Sequence, residues 1–301
     1  MNTAKEDRCL GAWFGLAIGD ALGAPIQFMD RDTYQLVTGY TSGGRYKLEP
    51  GYWTDDTSMA LCLAESLIEH GNYVPQDFGD RLVRWVDDGY NSSLPQCFDI
   101  GKTTLRAIGN IKRDGYENSG VGGEQACGNG SIMRLAPVPI FYRTNLSKAL
   151  SISVAQGEIT HTHPVTTQAC SILCSIILAG IENGTKDAVL NAIPQDTANY
   201  DEKLHPIIKD RFRQKKRDEI RSDTYVISTL EAALWSVWST DNFHDAMLLA
   251  VNLGHDADTV GAVTGQIAGA IYGYSEIPTD WVHQLAEQDR IFAIGRELSF
   301  R

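Results

Sequence analysis

Positive charge is scarce in this chain. Its 26 Lys and Arg face 38 Asp and Glu, for a formal net charge of -12. That argues against nonspecific binding to nucleic acid or to an anionic membrane, which both need basic surface. A nucleotide-like ligand in a local site is compatible with it. Long apolar runs are also missing. Asp20 and other polar residues interrupt the apolar stretches, and none approaches the ~18 to 20 residues of a membrane span. Residues 1–8 are polar and charged, so no secretory signal is visible. No two of the six cysteines form a CxxC pair. Most sit in apolar surroundings and read as free thiols of a reducing cytoplasm. Cys127 differs, with glycine and asparagine around it. Strand pairs and βαβ alternation are absent, so the fold class is all-α. No linker divides the chain, and 1–301 reads as a single domain.

Glycine is plentiful and ordered. Gly11, Gly15, Gly19 and Gly23 fall four residues apart in a helix predicted over 6–23. Gly261, Gly265, Gly269 and Gly273 repeat the pattern in a helix predicted over 259–273. Glycines so spaced share one face and let another backbone approach closely. Each costs about 1 kcal/mol against alanine in a helix, and packing has to offset that. The two faces pack either against each other or against different partners. Asp20 lies within the first ladder, as a helix-end polar residue or as part of a site wall.

Oxygen donors gather at two predicted helix starts. Thr54-Asp55-Asp56-Thr57 precedes a helix running to about His70, and Gly254-His255-Asp256-Ala257-Asp258-Thr259 opens the second ladder. Each set alone is explained by helix capping, since Thr54 suits an N-cap and early aspartates suit the helix dipole. The doubling is harder to explain that way. Thr54, Asp55, Asp56, Asp256, Asp258 and Thr259 together offer carboxylate and hydroxyl oxygens without nitrogen or sulfur. That suits Mg²⁺ or Mn²⁺ and not structural zinc. There is carboxylate enough for two ions sharing one aspartate.

Further helices are predicted over 76–89, 100–114, 145–157, 164–182, 222–239, 242–252 and 278–298. Asp99 falls at the start of one of them, where N-capping is the plain reading. Residues 117–131 form a glycine-rich loop containing Cys127, Gly128, Asn129, Gly130 and Ser131, and such loops either turn or bring N–H groups to an anion. His161 and His163 alternate, and they lack the cysteine or further histidine a zinc site needs. Lys209 to Arg221 is a mixed-charge run that reads as a solvated helix.

Six motifs, in this order along the chain, resemble the ADP-ribosylglycohydrolases, the family that includes the enzyme removing ADP-ribose from dinitrogenase reductase. They are Gly15-Leu16-Ala17-Ile18-Gly19-Asp20-Ala21-Leu22-Gly23, Thr54-Asp55-Asp56-Thr57, Phe98-Asp99-Ile100-Gly101, Gly128-Asn129-Gly130-Ser131-Ile132-Met133-Arg134, Ile159-Thr160-His161-Thr162-His163-Pro164 and Gly254-His255-Asp256-Ala257-Asp258-Thr259. The resemblance implies a compact orthogonal helical bundle with two Mg²⁺ or Mn²⁺ ions. It implies Thr54, Asp55, Asp56, Asp256, Asp258 and Thr259 as metal ligands, with Asp258 as the bridge. Asp99 and Asp55 are implied in catalysis, and Gln27, Cys127, Gly128, Asn129, Gly130, Ser131 and His161 in substrate binding. Gln27 stands where many members carry a glutamate. An amide can hydrogen-bond a water but is no general base near pH 7.

Two functions compete at this point. One is hydrolytic removal of ADP-ribose from a protein side chain, arginine by preference. The other is an ADP-ribose-binding or immunity protein acting on an ADP-ribosyltransferase toxin. The expected partners are ADP-ribosylated protein, ADP-ribose and, in the second case, a cognate transferase. A structural helical protein without a site would leave the paired oxygen sets unexplained.

Overall fold

Helical periodicity plays out as fourteen α-helices among residues 4–300, which the computed structural model describes. They are α1 Ala4–Gly23, α2 Asp55–His70, α3 Pro75–Asp88, α4 Lys102–Asp114, α5 Pro137–Phe141, α6 Leu146–Glu158, α7 Pro164–Asn183, α8 Lys186–Asn191, α9 His205–Ile208, α10 Val226–Trp238, α11 Phe243–Val251, α12 Ala257–Tyr272, α13 Thr279–Gln284 and α14 Gln288–Ser299. Only isolated β-bridges join the loops among these residues. The all-α expectation holds.

The two glycine faces meet each other. A Cβ at Gly15 would lie 2.1 Å from Gly265 O, and one at Gly19 would lie 2.1 Å from Gly261 O. Gly11 stands against Gly269 in the same way, and Gly23 against Ala257. The rungs run 11–269, 15–265, 19–261, 23–257, so α1 and α12 are antiparallel. A side chain at any of the glycines in these rungs would push the backbones apart. Bare backbones at this distance gain dispersion and Cα–H···O contacts that offset the helix cost of glycine. Around this pair pack α7, α10, α11, α14 and α2.

Antiparallel pairing decides where the site lies. It brings the C-terminal end of α1, with Asp20 and Gln27 just beyond, to the N-terminal end of α12, with Asp256, Asp258 and Thr259. α2 begins at the same place.

Three expectations change. The 209–221 segment is not a helix but two 3₁₀ turns, Arg211–Gln214 and Arg217–Glu219. The Arg31 guanidinium takes the carbonyls of Arg217 and Ile220 at 2.6 and 2.5 Å, oxygens a continuing helix would use. The 278–298 helix is broken at Leu285–Glu287, where the Ala286 N–H donates to Gly51 O at 3.0 Å. Finally, α1 and α7 do reach the length and mean hydropathy of a membrane span, although the apolar window of α1 is wholly buried within the fold.

Candidate active site

Neither proposed helix cap acts as one. Thr54 occupies the N-cap position of α2 and Asp256 that of α12, yet neither side chain caps its helix. Asp99 is no cap either, because α4 starts at Lys102 behind Gly101. The capping of α2 is done from outside by Asp20. Its Oδ1 accepts from the Thr54 N–H and hydroxyl, both at 2.8 Å, and its Oδ2 accepts from the Thr57 N–H at 3.0 Å and hydroxyl at 2.7 Å. Four donors hold this fully buried carboxylate and pin the start of α2 to α1. The side chains of Asp55 and Asp56 are thereby aimed at the head of α12.

Six aspartates converge there. Oxygens of Asp20, Asp56 and Asp258 lie within 4.8 Å of one another, as do those of Asp55, Asp99 and Asp258, and Asp256 is the sixth, close enough for its charge to act on Asp55, Asp56 and Asp258. Asp258 belongs to both groups. Among the described residues, none of the six makes an ion pair with a basic side chain. Asp56 Oδ1 and Asp258 Oδ1 are buried without a hydrogen-bond partner. Such orphaned acceptors are costly, and an oxygen-only donor set around them fits a hard divalent cation. Burial first, and then the neighbouring carboxylates, push Asp55, Asp56 and Asp258 well above the usual carboxylate range. Burial raises Asp256 to about 7 against a bond from Asn129. It raises Asp20 to about 6 against the bonds from Thr57 and Thr54.

Polar neighbours fix the remaining groups. Thr259 Oγ1 lies 3.4 Å from Asp56 Oδ2, and Thr54 Oγ1 lies 3.3 Å from Asp258 Oδ2. The Gln27 amide donates to Asp99 Oδ2 at 2.7 Å and to Asp258 Oδ2 at 2.6 Å. Tyr46 donates to the other Asp99 oxygen at 2.8 Å. Asp99 itself has φ +60, a backbone an aspartate adopts at some cost. Its carboxyl is raised, chiefly by burial, with Tyr46 and Gln27 pulling the other way.

Asp55, Asp99 and Asp256 of this cluster open into a cleft of about 700 Å³, while Thr54, Asp56 and Asp258 do not line it. Gln27, Asp55, Asp99, Cys127, Gly128, Asn129, Gly130, His161, Asp256 and Thr259 all line it. Ser131 does not; it is fully buried behind the loop, beside Gly157. Asn129 faces inward, donating to Asp256 Oδ2 at 2.6 Å and to Thr229 Oγ1 at 2.8 Å, while its backbone N–H goes to Thr224 O. Its role is therefore to hold a carboxylate, and its N–H is not free for an anion. Positive charge comes from Arg45, Lys102 and Arg221 in the cleft wall, and aromatic surface from Phe28, Tyr46 and Tyr225.

Sequence reasoning left Asp20 open between a helix end and a site wall, on the signal of a lone carboxylate in a glycine ladder, and missed others. Tyr46, Arg45, Phe28, Arg221 and Tyr225 carried none, since loops of ordinary composition bring them in.

Comparison with known proteins agrees with this geometry. The sequence model described as ADP-ribosylglycohydrolase matches residues 1–300. The chain is 46% identical over 294 residues to ADP-ribosylarginine hydrolase Tri1 of Serratia proteamaculans, covering 98% of this chain and 79% of the relative. It is 33% identical to the ADP-ribosyl-(dinitrogen reductase) glycohydrolase of Rhodospirillum rubrum, covering 93% and 90%. A solved structure described as an ADP-ribosylglycohydrolase-related protein complex superposes with a TM-score of 0.88 at 37% identity, covering 98% of both chains. This chain belongs to the ADP-ribosylglycohydrolase family.

Proposed function

We propose that this protein removes ADP-ribose from modified arginine side chains of proteins, using two Mg²⁺ or Mn²⁺ ions. The observation that carries the reading is the cluster of six aspartates, five of them buried and none in an ion pair among the described residues, of which Asp55, Asp99 and Asp256 open into a cleft whose wall bears Arg45, Lys102 and Arg221. Cationic walls suit a diphosphate, and an anionic cluster suits divalent cations. Relatives at 46% and 42% identity, both named ADP-ribosylarginine hydrolase, support arginine as the linkage.

Thr54, Asp55, Asp56, Asp256, Asp258 and Thr259 would hold the ions, with Asp258 shared. Divalent cations bound there supply Lewis-acid polarisation of substrate oxygens next to the bond that breaks. The chain's own residues do the rest. Phe28, Tyr225 and the Cys127–Gly130 loop accommodate the nucleotide, and Arg45, Lys102 and Arg221 neutralise its diphosphate. A water adds to the ribose C1 as the C1–N bond to the guanidinium breaks; Asp99, which faces the cleft, takes the proton of that water and passes it to the departing guanidine. Burial raises its carboxyl, so its carboxylate is a stronger base than that of a free aspartate. Gln27 orients Asp99 and moves no proton itself.

The test is turnover of arginine-ADP-ribosylated protein with Mg²⁺ or Mn²⁺. Free ADP-ribose should appear, and Asp258→Asn should slow its release by about 10²-fold or more. No release by the parent protein sinks the reading. Gln27 favours a second reading, in which the cleft holds ADP-ribose or the protein blocks a transferase directly. In that case an Asp258→Asn variant still protects cells from the transferase.

A further inference from the structure

Arg134 is fully buried, and among the described residues it has no carboxylate partner. Its guanidinium instead donates to four neutral oxygens: Gln156 Oε1 at 2.9 Å, Gln156 O at 2.8 Å, Gly130 O at 2.8 Å and Thr160 Oγ1 at 2.9 Å. Gly130 belongs to the cleft wall, and Thr160 lies directly before His161, which also lines the cleft. Thr160 Oγ1 also lies 2.8 Å from His161 Nδ1.

The direction of that last bond follows from the acceptors nearby. Thr160 Oγ1 accepts from Arg134, so its one hydrogen goes either to His161 Nδ1 or to Gly157 O at 3.4 Å. Gly157 O already accepts from the N–H groups of Thr160 at 3.0 Å and His161 at 2.8 Å, which occupy its two lone pairs. The hydroxyl therefore donates to Nδ1, and the imidazole proton sits on Nε2. That edge of the ring abuts the loop. A Cβ at Gly130 would lie 2.8 Å from Cε1 and 3.4 Å from Nε2, and one at Gly128 would lie 3.6 Å from Nε2. Glycine at 130 makes room for the imidazole as much as for a ligand.

We infer that Arg134 is a positioning residue that, through Thr160, fixes His161 as a neutral imidazole presenting Nε2–H to the cleft, where it donates to an oxygen of bound ADP-ribose. The inference rests on the proposed reading of the cleft for its ligand. Burial, and then the Arg134 charge, push His161 down to about 3, so the ring stays neutral at ordinary pH. A neutral donor can approach the ligand without adding a second buried cation.

The experiment is ¹⁵N NMR of the imidazole nitrogens, together with ADP-ribose titration, in the full chain. The parent protein should show His161 protonated on Nε2. Thr160→Val, which keeps the shape and removes the hydroxyl, should populate the Nδ1–H form and weaken ADP-ribose binding about tenfold. Thr160→Ser should restore both. Arg134→Lys should act in the same direction as Thr160→Val. An Nδ1–H ring in the parent overturns the inference, as does a Thr160→Val protein with unchanged tautomer. A changed tautomer with unchanged affinity overturns donation to the ligand. If the parent binds no ADP-ribose, the functional reading fails and the tautomer alone decides this inference.

Discussion

Gln27 donates to Asp258 at 2.6 Å with one amide hydrogen and to Asp99 at 2.7 Å with the other, so a single neutral side chain ties two of the six clustered carboxylates together. A glutamate here would replace two charge-assisted bonds with a third negative charge. Gln27→Glu should therefore destabilise the divalent-free protein by about 2 kcal/mol. That corresponds to a fall in Tm of about 4 °C. The loss should grow from pH 5 to pH 8 as the new carboxyl ionises, and saturating Mn²⁺ should recover most of it. Thermal denaturation in chelator and in Mn²⁺ checks this; equal melting of parent and variant in chelator at pH 8 refutes it.

The metal-binding equilibrium should be steep in pH. Asp256 is raised to about 7 and Asp20 to about 6, both mainly by burial. For a carboxylate raised in the folded state, the stabilising contribution is present below its unfolded value and is lost as pH rises through 6 to 7. The divalent-free protein thus weakens over the window in which the site becomes ready to bind a cation. Each displaced proton makes affinity rise about tenfold per pH unit. The gain in Tm on adding Mn²⁺ should be small at pH 5.5 and large at pH 7.5. A gain that does not change between these values would mean that the carboxyls ionise normally.

Much of this site was legible because its chemistry sits at helix starts. Asp55, Asp56, Asp256 and Asp258 stood out as doubled oxygen sets, and the ladders of Gly15 and Gly265 predicted close helix contact. The pairing of one ladder with the other was not legible, since a small-residue face does not name its partner. Capping and ligation also look alike in a sequence. Only the position of Asp20, which takes the N–H groups at the start of α2, shows that the Thr54 hydroxyl oxygen is not spent on capping. Tyr46 and Arg45 reach the cleft through a loop without periodicity, and nothing local marks them. The 209–221 run was misread because Arg31, far away in sequence, takes its carbonyls.

Glycine substitutions should separate the ladder from the surface. A Cβ at Gly265 would lie 1.8 Å from Gly15 O, with backbone on both sides and no flexible side chain to yield. Gly265→Ala should cost about 3 kcal/mol. It should also weaken Mn²⁺ binding, because spreading α1 from α12 moves Asp258 away from Asp56. Gly109 in α4 is exposed and has nothing within 4 Å of a Cβ. Gly109→Ala should stabilise by about 0.5 to 1 kcal/mol and leave Mn²⁺ binding unchanged. Urea unfolding of the two variants checks both signs.

His161 should make the protein sensitive to acid. Its pKa falls from 6.5 to about 3 on folding, through burial first and the Arg134 charge second. A histidine lowered in this way contributes stability that is fully present above its unfolded value. That stability is lost as pH falls from 6.5 toward 3, because the unfolded chain takes up the proton first. The slope approaches about 1.4 kcal/mol per pH unit over that interval. The raised aspartates act in the opposite sense over the upper part of the same interval, so the His161 effect is isolated by difference. His161→Gln keeps a polar group beside Thr160 and removes the titration. The stability gap between parent and variant, measured by urea unfolding in chelator, should shrink by about 2 kcal/mol between pH 7 and pH 5. A gap that stays constant over this range would show that the imidazole is not held neutral, and that the Arg134 charge does not govern it.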